Sequence, residues 1–112
     1  MSDSEDRGVT AFRLTAAVAQ ARVRMLAENS SNLRFTRHID ERMVERDISV
    51  AQVRHILRTG FVDDPPVPGG FAGEWKIKIT RKMPNGRVAG VVTVLINERT
   101  LRLLTVEWED SV

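Results

Sequence analysis

The chain has no cysteine and no tyrosine, and histidine occurs only at His38 and His55. Without cysteine there are no disulfides, no thiol nucleophile and no thiolate metal site. Two dispersed histidines give no metal-ligand spacing, so neither metal nor cofactor is expected. No apolar stretch approaches the ~18 residues that a membrane helix needs. The opening MSDSEDRG is acidic and polar, unlike a secretory signal, and a cytoplasmic protein is the expectation. PGGFAG, the one glycine-rich stretch, lacks the strand-before, helix-after setting of a phosphate-binding loop.

What is present suits one compact domain. The chain has 112 residues, too few for two domains, and 42% of them are hydrophobic. The net charge of +2 hides an asymmetry, because six of the 15 acids lie at the ends: Asp3, Glu5, Asp6, Glu107, Glu109 and Asp110. Residues 7–106 therefore carry 17 bases against 9 acids, or +8, and all but three of those bases are arginine. Arginine's planar fork suits bidentate phosphate contact. A basic body with acidic ends suggests a nucleic-acid partner. A solvated arginine-rich surface accounts for the same numbers, and charge alone does not separate the two.

Residues 1–8 read as a disordered tail, followed by an N-terminal helix within 9–30, with its pattern clearest from Thr10 to Glu28. Leu14, Ala17, Val18, Ala21 and Met25 share one stripe there, with Arg13, Gln20 and Arg24 facing away. ENSSN breaks it. A second helix is predicted over Arg37–Arg46, with Ile39 and Met43 inward. The third has the clearest start: Ser49 as N-cap, Gln52 completing a capping box, and an Ile48–Val53 staple. Val50, Val53 and Leu57 are its expected buried stripe, and Gly60 its stop. FVDDPPVPGGFAG then begins as a short strand and becomes a loop, either a lid over a site or a plain connection. In EWKIKITR, Trp75, Ile77 and Ile79 alternate with Lys76, Lys78 and Thr80, a half-buried strand with a basic outer face. MPNGR is a hairpin turn, VAGVVTVLI a central strand and LRLLTVEW the last strand. The expected class is α+β, with helices packed on one face of a three- to four-stranded antiparallel sheet.

The stretch RHIDERMVERDIS, residues 37–49, carries three arginines, a histidine and four acids. In one reading Arg37, Arg42 and Arg46 pair with Asp40, Glu41 and Glu45 on a solvated helix, each pair contributing ~0.3–0.5 kcal/mol. In the other, His38 and Arg42 project from one face, the histidine exchanging protons and the arginine holding a phosphate. Charged helices far outnumber catalytic ones, so spacing favours the first.

FTRHIDERMVERDISVAQVRHILRTGFVDD resembles the opening of the small bacterial proteins grouped as domain-of-unknown-function family 4258. Their pattern is a histidine, R-M-x-E-R, I-S, a short helix and a glycine leading into a strand; it is met here at His38, Arg42, Met43, Glu45, Arg46, Ile48, Ser49, Val53, Leu57 and Gly60. The likeness covers residues 33–108 and extends to a domain over 33–110. It implies a RelE/barnase-like fold and a metal-independent, toxin-like ribonuclease. On that reading His38 is the general acid or base and Arg42 and Arg46 clamp the scissile phosphate. Lys76, Lys78 and Arg81 extend a basic surface along the RNA, and Thr105 makes a polar contact on the sheet. RelE-like enzymes often place a tyrosine at the site. Here Trp108 stands at about that position and cannot transfer a proton.

Two function classes follow. One is a toxin-like ribonuclease working by general acid/base catalysis. The other is a non-catalytic module of the same fold that binds nucleic acid or protein. A third use, for the helix at 10–28, is pairing with a second copy or an antitoxin. Trp75 and Trp108 can stack bases, although at strand spacing they more often fill a core.

Overall fold

The computed structural model describes residues 13–110. Helix α1 spans Ala16–Leu26, and a single 3₁₀ turn, Ser30–Asn32, leads into strand β1, Leu33–Phe35. Helices α2 (Arg37–Arg46) and α3 (Val50–Thr59) follow, then strands β2 (Val67–Pro68), β3 (Trp75–Lys82), β4 (Val88–Asn97) and β5 (Thr100–Trp108). The disordered tail expected over 1–8 and residues 9–12 lie outside the described residues; within them the N-terminal helix expected over 9–30 is shorter, beginning at Ala16 after the Thr15 cap and ending at Leu26.

Each helix begins on a hydroxyl. Thr15, Thr36 and Ser49 accept hydrogen bonds from the backbone N–H groups of Val18, Ile39 and Gln52, relieving one otherwise unmatched donor in each first turn. At Ser49 the capping box is complete, because the Gln52 side chain accepts in return from the Ser49 backbone N–H at 2.8 Å. Helix α2 ends at Asp47, in the left-handed region with φ 55°, which a short polar residue tolerates better than most.

The sheet has five strands in the order β1-β5-β4-β3-β2, and it is mixed: β1 runs parallel to β5 and the other pairs are antiparallel. The sequence predicted three or four antiparallel strands. Two short strands account for the difference. β1 has three residues, too few to display a period, and it pairs with the last strand, Leu33 opposite Leu101. Val67 and Pro68 pair with Lys76 and Trp75 inside the expected loop. Pro68 has no N–H to give, and an edge strand is where proline is tolerated.

One hydrophobic core joins helices and sheet. Ile39, Val53, Ile56 and Leu57 meet Ile77, Ile79, Val91, Leu101, Leu103 and Val106, all fully buried. The predicted α1 stripe is rotated. Ala19, Val23 and Leu26 are the buried residues, whereas Val18 (47% exposed) and Met25 (62%) face out. The rotation turns Arg24 and Gln20 toward the end of α3. The Arg24 guanidinium donates to the carbonyls of Thr59 and Gly60 at the end of α3, and Gln20 accepts from the Val62 N–H. On α3, Ile56 takes the buried place expected of Val50, which is exposed. Gly60 does end α3, yet its φ is −77°. Its need for glycine is room: a Cβ there would sit 2.5 Å from the Ile56 carbonyl and 2.7 Å from that of Thr80.

Candidate nucleic-acid interface

Helix α2 lies alongside the last strand. At its start, the Thr36 N–H and hydroxyl both donate to the Leu103 carbonyl, at 3.3 and 2.7 Å. At its end, the Trp108 indole N–H donates to the Arg46 carbonyl at 3.0 Å. Ten helical residues rise ~15 Å, and the strand from Leu103 to Trp108 covers ~17 Å, so the two run side by side. β1 pairs only with Leu101, Arg102 and Leu103. The helix therefore covers the part of β5 that would otherwise be an open edge.

This placement sorts the side chains of α2. Ile39 is fully buried and Met43 packs against the core. His38 is exposed and, among the described residues, makes no hydrogen bond. One turn on, Arg42 meets the Glu45 carboxylate at 2.5 Å. Arg46 meets the same carboxylate at 3.2 Å and reaches Glu107 of β5 at 3.8 Å. Glu45 thus holds two guanidiniums together at the rim of the sheet. Arg37 pairs with Glu41 instead, at 3.7 Å and fully in solvent.

The helices pack on one face of the sheet, and the other face carries rows of polar side chains set by register. Lys76 lies opposite Val94, Val94 opposite Arg102, and Arg102 opposite Arg34 of β1. The next row is Lys78, Val92 and Thr105, and the one after is Thr80, Gly90 and Glu107. Strands lie ~4.8 Å apart, so the four-strand row of Lys76 and Arg34 spans ~14 Å. Lys76, Lys78 and Thr105 thus share this face, and Arg42 and Arg46 stand along its β5 rim. Arg81 does not join them. It lies opposite the buried Ala89, in step with Ile77 and Ile79, and its Nε is buried without a partner.

Arg34 and Arg102 lie on this same face, and the sequence reading passed over both. Arg102 was legible, since it alternates with Leu101 and Leu103; Arg34 was not, because β1 was not recognised. Arg102 is also tied down, donating at 3.2 Å to the Glu74 carboxylate, which is itself buried. Several other arginines serve the fold. Arg24 covers the end of α3, Arg54 donates to the Ala27 and Glu28 carbonyls at the end of α1, and Arg87 lies 4.2 Å over the Trp108 ring while pairing with Asp110. The 61–73 segment, expected as either a lid or a plain connection, lies at the edge of the sheet beyond β3, where Asp64, Pro65 and Val67 line a cavity with Lys76, Lys78 and Val92. His55 is exposed on α3, Trp75 packs against the core, and no group of metal-ligating side chains forms among the described residues. Among the described residues no helix is long and apolar enough to cross a membrane.

The family model titled Domain of unknown function (DUF4258) matches residues 35–108, the stretch from the end of β1 through β5. Helix α1 lies outside that match. No curated protein and no solved structure matches the chain.

Proposed function

We propose that this chain, which belongs to the family described as Domain of unknown function (DUF4258), is an RNA-binding domain that lays the strand across the helix-free face of its sheet. The observation that carries the reading is the juxtaposition of the Lys76–Val94–Arg102–Arg34 row with Arg42 and Arg46 on the adjacent rim. Exposed ion pairs such as Arg42–Glu45 are worth well under ~1 kcal/mol. A phosphate can therefore displace the carboxylate and take both guanidiniums at little cost. Val92 between Lys78 and Thr105 offers apolar contact to a base.

The test is a salt series. Single-stranded RNA binding, followed by fluorescence anisotropy, should weaken with salt, each phosphate contact adding ~0.7 to the slope of log affinity against log salt. Arg42→Ala and Lys76→Ala should each lower the slope by about that amount, and Arg37→Ala should not. A slope untouched by Arg42→Ala and Lys76→Ala sinks the reading.

A second reading, metal-independent cleavage of the bound RNA by a RelE/barnase-like, toxin-like domain, is favoured by one observation. His38 is exposed on the same helix, one turn before Arg42. Cleavage needs the 2′-hydroxyl deprotonated, the phosphorane charge stabilised and the leaving oxygen protonated. His38 supplies one proton-transfer group and Arg42 with Arg46 the charge; with the Trp108 N–H engaged by Arg46, water or a cation must complete the transfer. Purified protein should then cleave mixed RNA in EDTA, and both His38→Ala and Arg42→Ala should abolish it. Wild type that binds RNA without cutting it leaves the binding domain alone.

A further inference from the structure

We infer that the acidic end of the chain is a built-in competitor for the proposed RNA face. The inference rests on the RNA-binding reading above and adds its regulation. Glu107, Glu109 and Asp110 form the acidic cluster that closes the sequence, and each meets a base. Glu107 faces Arg46 at 3.8 Å, Asp110 holds Arg87 at 3.2 Å, and Glu109 pairs with Lys78. Two of these bases, Arg46 and Lys78, belong to the face and rim just described. Glu107 and Glu109 thus engage cations at the Gly90 end of the basic surface, next to the Lys78 row.

The Lys78–Glu109 pair is built for. Lys78 is on β3 and Glu109 follows β5, so the carboxylate must reach across β4. The backbone sets its start: the Glu109 N–H donates to the Val88 carbonyl at 2.7 Å, continuing the ladder past Trp108. The residue beneath the pair is Gly90. A Cβ there would stand 2.7 Å from a Glu109 carboxylate oxygen and 3.3 Å from Lys78 Cε. Any side chain at Gly90 would displace the pair. Lys78 lies half exposed and the Glu109 carboxylate is the more buried partner, at 27%.

Such a strap acts as a threshold. Its carboxylates occupy cations that RNA phosphates would take, and they repel phosphates in the same field. Because the individual pairs are weak, a polyanion with several phosphates displaces all of them together, whereas a single phosphate or a short oligonucleotide gains little. The face therefore discriminates by length of polyanion.

The experiment compares the full chain with Glu109→Gln and with the triple variant Glu107→Gln, Glu109→Gln, Asp110→Asn, using single-stranded oligouridylate of two lengths and the anisotropy salt series. The amide variants keep the shape of the strap and remove its charge. Freeing Lys78 should steepen the salt slope by ~0.7 in Glu109→Gln. The triple variant should steepen it further, bind about tenfold tighter at low salt, and gain most on the shorter oligonucleotide. Lys78 acylation, read by mass spectrometry against Lys76 in the same molecule, should accelerate in Glu109→Gln without any RNA. Wild type that binds RNA while the variants keep its slope and affinity overturns the competition and leaves the RNA reading standing. No RNA binding by any of the three proteins overturns both. Lys78 acylation unchanged in Glu109→Gln overturns the masking contact itself.

Discussion

The Trp108 indole N–H donates to the Arg46 backbone carbonyl at 3.0 Å, joining the end of the last strand to the end of the helix that bears Arg42 and Arg46. The bond satisfies one of the carbonyls that every helix C-terminus leaves open. It also helps set the lateral position of α2, because among the described residues the other backbone-anchored tie to β5 is at the opposite end, through Thr36. Trp108→Phe keeps a ring for Arg87 to cover and removes the donor together with part of the packed indole. It should cost about 1 kcal/mol, read as a lower urea midpoint at an unchanged slope.

Arg24 and Arg54 cap each other's helices, Arg24 of α1 at the end of α3 and Arg54 of α3 at the end of α1. A guanidinium at a helix C-terminus gains both hydrogen bonds and the favourable end of the dipole. Arg24 makes the shorter contacts, 2.6 and 2.9 Å to the Gly60 carbonyl, whereas Arg54 reaches Ala27 at 3.2 Å with its Nε buried and unpartnered. Arg24→Ala should therefore cost about 2 kcal/mol and Arg54→Ala about 1. Chemical denaturation of the two variants checks the order; equal losses would mean the burial of Arg54 matters more than its bonds.

Gly60 and Gly70 make a matched pair for testing where glycine is required. A Cβ at Gly60 collides with two backbone carbonyls, and one at Gly70 meets nothing within 4 Å. Gly60→Ala should destabilise by at least ~2 kcal/mol through forced backbone shifts. Gly70→Ala should be neutral within ~0.5 kcal/mol, as surface substitutions usually are. Thermal melts of both decide it.

Arg102 has a structural duty that must be separated from binding. Its partner Glu74 is only 8% exposed and keeps one further donor, the Phe71 N–H at 3.4 Å. Arg102→Ala strands that carboxylate and should cost about 2–3 kcal/mol. The double variant with Glu74→Gln should recover part of the loss, since a neutral amide is cheaper to leave without its cation. If the double variant is no more stable than the single one, the loss comes from packing of the arginine stem.

Much of this molecule was legible before folding. The capping box at Ser49, the Asn-Gly turn, the alternation from Trp75 to Thr80 and the apolar run of β4 are local signals, each read within a few residues. The same holds for His38 and Arg42 as one side of a helix, and for Lys76 and Lys78 as one face of a strand. The errors have separate causes. The stripe of α1 was misplaced because an alanine-rich helix has little contrast between faces, and distant carbonyls at Thr59 and Gly60 captured Arg24. Arg81 was grouped with the two lysines by charge, although period two puts it on the opposite face.

The sequence by itself determined the starts of the second and third helices, the hairpin, the α+β class and the charge asymmetry, because these depend on neighbours along the chain. The tertiary structure decided which cations share a surface. β1 finds its partner in the last strand, which brings Arg34 beside Arg102. α2 closes the edge that β1 leaves, which sets Arg42 and Arg46 on the rim. The Glu109 side chain reaches across Gly90 to Lys78. Each is a pairing between residues far apart in the chain, and only strand register and burial of the common core can choose it.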